Sequence, residues 1–212
     1  MSSLTDVKRK CYVCGQTSDQ AVLASTNRFG APDLDLRPPE MERSTMGVWI
    51  QKCPYCGYVA IDIRNKTSIT LEYLKGESFL SCENRKFKSK LAGDFYKQYM
   101  ISIADDDVNG AFQAALNAAW VCDDKRDVEN AIYCREKALI EIEKLIASTK
   151  QEFFWVARMD LLRRVGKFDL LIDEYQGKIF SEELLNQIVA FQIEKAKQKD
   201  IACYTVADAC AI

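Results

Sequence analysis

The spacing of apolar residues changes near residue 66 of this 212-residue chain. Before that point, glycines and prolines separate short β-branched runs such as "VWIQK" and "YVAIDI", a pattern that predicts short strands. Beyond it there is no proline, and apolar residues recur with a helical period, as in "AFQAALNAAWVC" and "ENAIYCREKALIEIEKLIA". The pattern predicts an α+β, mostly α protein, with a small N-terminal β module over residues 1–66 and a helical domain over residues 67–212.

The helical periodicity also indicates where the individual helices lie. Helices are predicted near residues 68–75, 84–104, 110–122, 127–148, 151–165, 168–178 and 181–200. N-caps are expected at Asp107, at Asp124 or Asp127, and at Ser181, because these side chains can accept hydrogen bonds from free first-turn amides. The connections are short, so consecutive helices should be antiparallel neighbours.

Part of the helical region fits a tetratricopeptide-like register. The positions that match its aromatic, glycine and small-residue sites are Trp155, Gly166, Phe168, Tyr175, Ala131 and Ala138. The spacing between the two units is about 40 residues rather than 34, so the repeat would be degenerate. The alternative is an ordinary helical bundle with coincidental matches. Either arrangement favours a groove for a peptide or protein partner over an active site.

The composition removes several kinds of chemistry. The chain has no histidine, which excludes Ser-His-Asp and Cys-His catalysis and histidine-ligated zinc. No apolar run approaches the roughly 18 residues that span a bilayer, and no apolar segment follows the N-terminal basic cluster, so we expect a cytoplasmic protein. Residues 101–212 carry fourteen Lys/Arg against twenty Asp/Glu, a poor surface for a phosphate backbone.

The nine cysteines point to a metal rather than to disulfides, because a cytosolic chain keeps its thiols reduced. Cys11 and Cys14 form one C-x2-C pair in "CYVCG", and Cys53 and Cys56 form a second in "CPYCG". Glycine after each pair permits the tight turn of a zinc knuckle, and two knuckles supply four thiolates. These four residues are the predicted ligands of one structural Zn²⁺. The 38 residues between the pairs imply an insertion.

The alternative for "CPYC" is a redox-active dithiol. Such a motif lies at a helix N-terminus, where the helix dipole lowers the thiol pKa. Here "GYVAIDI" follows Cys56 and predicts a strand, and a redox motif would leave Cys11 and Cys14 without a role. The zinc interpretation is favoured.

The segment between the knuckles is a candidate ligand-binding loop. If it is extended, Asp33, Asp35 and Arg37 share one face and the alternating leucines face the core. The simplest interpretation is a loop held by Asp–Arg pairs. Alternatively, Asn27, Arg37 and Arg43 could bind an anion, or the D-x-D pair could bind a hard cation.

The arrangement resembles an uncharacterised bacterial family, a domain of unknown function. The resemblance is carried by "CYVCG", "NRFGAPDLDLRPPEMERSTM", "CPYCGYVAID" and an alanine-rich helical C-terminal part, which together cover most of the chain. It implies a bacterial cytosolic protein with a zinc-ribbon-like start, tetratricopeptide-like helices and no established activity.

The sequence favours a non-catalytic protein that binds a protein or peptide on its helical array. One alternative is nucleic-acid binding through the ribbon and "RKFKSK", Arg85 to Lys90. The other is an enzyme that uses Asp33, Asp35 and Arg37. If residues 1–66 are a separate folding unit, the helical domain should stay largely helical when the metal is removed.

Overall fold

The chain begins with a long β-hairpin and ends in an array of helices. The computed structural model describes residues 2–211. The strands are β1 (Ser3–Lys10), β2 (Thr17–Ser25), β3 (Arg28–Phe29), β4 (Glu40–Met41), β5 (Gln51–Lys52) and β6 (Val59–Ala60). The helices are α1 (Leu71–Lys75), α2 (Glu77–Leu80), α3 (Lys90–Ala104), α4 (Val108–Asp124), α5 (Val128–Thr149), α6 (Glu152–Arg164), α7 (Phe168–Tyr175), α8 (Glu183–Lys197) and α9 (Val206–Cys210). The α+β, mostly α prediction is confirmed.

The strands form three separate antiparallel pairs, β1–β2, β3–β4 and β5–β6. In the first and third pairs a cysteine pair occupies the hairpin connection. Cys11 directly follows the end of β1, and Cys53 directly follows the end of β5. The two knuckles are therefore the turns of two hairpins, and the paired strands on either side hold each turn in place.

Helix α4 lies at the centre of the array. It packs against α3 on one side and α5 on another, and eleven of its seventeen residues are buried. Its alanines permit this close approach on several sides, and Asp107 caps its start by accepting from the Gly110 N–H at 2.9 Å. Helix α5 packs on α6, and α8 contacts α6, α7 and α9.

The predicted helices exist, with shifts at some ends. The helix predicted from residue 84 begins at Lys90, because the Lys86 carbonyl and Lys88 amide are bound by Asn130 and Asp127. Ser181 is not an N-cap: its hydroxyl and amide donate to Glu152. The short helices α2 and α9 were not predicted.

Two buried apolar clusters form the core. The larger one fills the helical array and includes Leu34 and Met46 from the insertion between the knuckles. The smaller one surrounds the cysteines and continues into later residues, among them Ile69, Leu74 and Ile101. Residues before position 66 thus pack in the core of the helical array, and residues after it pack around the cysteines. The division at that residue stays a prediction about folding units, which metal removal can test.

Within residues 2–211, none of the helices combines the length and apolar character that crossing a bilayer requires.

Candidate metal centre and adjoining cavity

The four predicted cysteine ligands meet at one point. All four sulfur atoms lie within 4.8 Å of one another. The Sγ atoms of Cys11 and Cys56 are 3.7 Å apart, and those of Cys14 and Cys53 are 3.5 Å apart. In a tetrahedron with metal–sulfur bonds of about 2.3 Å, the sulfur–sulfur separation is about 3.8 Å. The cluster can therefore hold a metal ion.

The two knuckles share one backbone hydrogen-bond pattern. The Gly15 amide donates to the Cys11 carbonyl at 2.9 Å, and the Gly57 amide donates to the Cys53 carbonyl at 3.0 Å. Both glycines have a positive φ, +72° and +76°, which a residue with a side chain rarely adopts. The cysteine that opens each knuckle also donates its amide across the turn. The repeated geometry explains why both motifs need glycine after the second cysteine.

Backbone amides face the sulfur atoms of the first cysteine in each knuckle. Burial acts to raise the pKa of Cys53, but the N–H groups of Cys56 and Tyr55 oppose it, and the resulting pKa lies below its ordinary value. At Cys11 burial prevails over the N–H groups of Cys14 and Val13, so the pKa is raised. N–H groups directed at sulfur stabilise a thiolate, the form that binds metal.

The backbone after Cys56 is strand β6, not a helix. The helix dipole that activates a redox dithiol is therefore missing at "CPYC". Cys11 and Cys14 are instead placed against Cys53 and Cys56, as a shared metal site requires.

The remaining cysteines form no further group of three or more potential ligands within the described residues. Cys203 and Cys210, near the C-terminus, are both exposed residues. The Cys203 Sγ donates to Asp33 Oδ2 at 3.3 Å, and partial desolvation of this thiol raises its pKa to about 12.

The insertion loop folds back on itself instead of running extended. The Asp33 amide donates to the Arg37 carbonyl at 2.9 Å, and Leu36 adopts a φ of +72°. As a result Leu34 is buried but Leu36 is exposed, whereas an extended segment would bury both. A left-handed leucine is strained by roughly 1–3 kcal/mol.

Most of the predicted loop residues are used inside the protein. Asp33 and Asp35 are buried, and Arg43 donates to Asp33 at 2.5 Å. Arg37 is buried as well, and it forms a bidentate pair with Asp124 on α4 at 2.9 and 2.6 Å. Asn27 is exposed on the β3–β4 side of the loop, where its carbonyl accepts from the Met41 amide. Asn27 therefore does not lie with the buried carboxylates. The binding of an anion or a cation at this loop stays a prediction.

Helices supply partners that sequence reasoning did not identify. Arg135 on α5 lies 2.5 Å from Asp123 and 3.3 Å from Asp35, and Arg164 on α6 reaches Asp123 at 2.8 Å. The C-terminal segment also contributes, since the Leu34 amide donates to the Tyr204 carbonyl at 2.9 Å. The pair of Arg135 and Asp35 joins residues 100 positions apart, and no local sequence pattern predicts such a contact.

A cavity of about 750 Å³ opens beside this loop. Its floor is a row of α4 side chains spaced along one helix face, Gln113, Asn117 and Trp120. The β1–β2 hairpin and the insertion loop form its walls. None of the five predicted loop residues lines it; neighbouring positions in the same loop do.

Most side chains of the basic segment "RKFKSK" contact other parts of the protein. Arg85 stacks on the Tyr133 ring at 3.5 Å, Lys86 and Lys88 donate to backbone carbonyls, and Phe87 packs on the main core. Three of its four cations thus already have internal contacts. Nucleic-acid binding through this segment stays a prediction.

Comparison with protein-family models, with curated proteins and with solved structures gave no match for this chain. The class of protein is therefore defined by what the structure contains: a four-cysteine cluster able to bind a metal, set in β-hairpins against a helical array.

Proposed function

We propose that the cysteine cluster holds one structural Zn²⁺. The sulfur–sulfur separations of 3.5 and 3.7 Å carry this proposal, since they match a tetrahedral tetrathiolate site. Zinc accepts tetrahedral thiolate ligands without redox chemistry. With four protein ligands there is no open position for water or substrate, so the metal would stabilise the fold and would not act in catalysis.

Protein purified without added metal should carry one equivalent of zinc, because a single closed site binds one ion. Elemental analysis measures the stoichiometry, and exchange into Co²⁺ should give the visible spectrum of tetrahedral thiolate coordination. Protein that contains no metal and whose four site thiols react freely under native conditions would contradict the proposal. The Cys210→Ser variant is the control, since this exposed cysteine lies outside the cluster.

We further propose that the protein is a non-catalytic cytoplasmic interaction module whose helical array binds a protein or peptide. The tetratricopeptide-like register supports this, as does the lack of histidine. A surface that we call the α7–α8 patch also supports it: Phe153, Ile179 and Leu184, exposed by 42%, 85% and 42%. The Ser181 amide donates to Glu152 at 2.9 Å, which brings the α7–α8 connection next to Phe153. Because residues 101–212 have a net charge of −6, an apolar segment with basic flanks is the partner that fits.

A photo-crosslinking amino acid at position 179 should trap one defined partner in cells, because Ile179 is the most exposed apolar residue of the patch. The same amino acid at position 125, an exposed residue between α4 and α5, should not trap it. A second substitution, Leu184→Asp, should remove the crosslinked product. If positions 179 and 125 give the same products, the patch is not a binding surface.

A further inference from the structure

The cavity above α4 has the features of a ligand site that the metal centre and the α7–α8 patch do not account for. Its volume of about 750 Å³ falls within the range of small-molecule sites, roughly 300–1,000 Å³. We propose that it binds a ligand that combines an apolar body with one carboxylate. Free organic acids and the C-terminal residue of a peptide share this chemistry.

Two side chains that line the cavity have amide donors without acceptors among the described residues, Asn117 and Gln51. The Asn117 side-chain oxygen accepts from Gln113 at 3.0 Å, but its N–H groups donate to no group within residues 2–211. The Gln51 side-chain oxygen accepts from the Ile63 amide at 3.2 Å, and its N–H groups likewise donate to no group in that range. Trp120 also lines the cavity, but its indole N–H, unpartnered in the described part of the chain, has no accessible surface. A ligand rich in acceptor oxygens would supply the partners that the Asn117 and Gln51 donors lack.

The charged residues that line the cavity leave one cation incompletely paired. Glu42 is bound by Arg28, and Asp62 accepts three hydrogen bonds from the Arg64 side chain. Arg9 keeps only a long ion pair with Asp62, at 3.8 Å, and its guanidinium makes no hydrogen bond to the described residues. A guanidinium in this state favours a ligand carboxylate, which its planar donor groups match.

The walls are suited to an apolar body. They present aliphatic side chains of the hairpin, prolines of the insertion loop and the ring of Trp49. Leu36, the residue in the strained left-handed conformation, is one of the wall residues. Strain of this kind concentrates at ligand sites, where the surrounding structure holds a side chain in a position it would not otherwise adopt.

Titration of the metal-loaded protein with 3-phenylpropionate and with its amide tests the proposal. We expect one-to-one binding of the acid, seen by calorimetry and by a change in tryptophan fluorescence, and binding of the amide at least about tenfold weaker. A short peptide ending in Leu-Phe with a free C-terminus, compared with its C-terminal amide, distinguishes the sources. Tighter binding of the peptide acid than of phenylpropionate assigns the site to chain ends, and the reverse assigns it to free acids.

Arg9→Gln should abolish the preference for acid over amide, because it removes the incompletely paired cation. Lys8→Gln is the matched control: it removes a positive charge from the adjacent residue of β1, which is exposed and does not line the cavity. Circular dichroism and zinc content verify that both variants are folded. The proposal is overturned if no acid binds up to about 10 mM. It is equally overturned if Arg9→Gln binds acid and amide as the native protein does.

Discussion

Replacement of Cys53 by serine should release the metal and unfold the N-terminal module. Three thiolates and a weakly coordinating hydroxyl do not close the tetrahedron. Structural zinc contributes on the order of 10 kcal/mol to the folding of small domains, whereas whole domains are stable by roughly 5–15 kcal/mol. The hairpins and the small apolar cluster around the knuckles cannot replace that contribution. Zinc analysis and thermal unfolding of Cys53→Ser measure the loss.

The unfolding should extend only a short way into the helical half. Ile69, Leu74 and Phe79 share the smaller cluster with the knuckles, so α1 and α2 should loosen with the module. Helices α4 to α8 have their own core and should keep most of the helical circular dichroism signal. Cys210→Ser, outside the cluster, should behave as the native protein does. A cooperative collapse of the whole helical signal would show that the chain is one folding unit and that no boundary lies near residue 66.

Replacement of Arg135 by methionine should destabilise the protein by roughly 3–5 kcal/mol, the usual cost of breaking a buried ion pair. Arg135 and Asp35 are exposed by 2% and 1%. Without Arg135, Arg164 is the cation within residues 2–211 that remains paired with Asp35 and Asp123. Because Asp35 belongs to the insertion loop, the same change should loosen the loop from α5. Urea unfolding gives the free energy.

Lys137→Met on the same helix is the control. It should cost less than about 1 kcal/mol, since the polar contact of Lys137 within residues 2–211 is a cation–π contact with Tyr133 at 5.0 Å. Adding Asp35→Asn to Arg135→Met should recover part of the lost stability, because it removes one of the two carboxylates that then share Arg164. If Arg135→Met costs no more than Lys137→Met, the network does not hold the loop.

The pH dependence of stability follows the same network. Burial acts to raise the pKa of Asp123, but the hydrogen bonds and charges of Arg135 and Arg164 lower it further than burial raises it. The folded pKa therefore lies below the unfolded value of about 4. The stabilisation is complete above that value and is lost as the pH falls through the folded pKa. Arg135→Met should weaken this acid dependence, which urea unfolding at several pH values measures.

Features that depend on neighbours along the chain were predictable from the sequence. The helices from α3 to α8 follow an apolar period that backbone geometry imposes, and the Asp107 cap needs only the amide three residues ahead. The knuckles follow from cysteine spacing and from glycines that permit a positive φ. The proximity of the two cysteine pairs followed from the hypothesis that all four thiolates bind one metal ion.

Features that depend on distant residues were decided by the tertiary structure. The segment 85–89 is not helical because Asn130 and Asp127 bind its backbone. Asp35 is buried because Arg135 and Arg164, on two later helices, offset the cost of removing its charge from water. The cavity exists only because a hairpin, a loop and α4 meet around it. A local pattern specifies which element forms, but the partners of a buried charge or an open donor are specified only when the whole chain has packed.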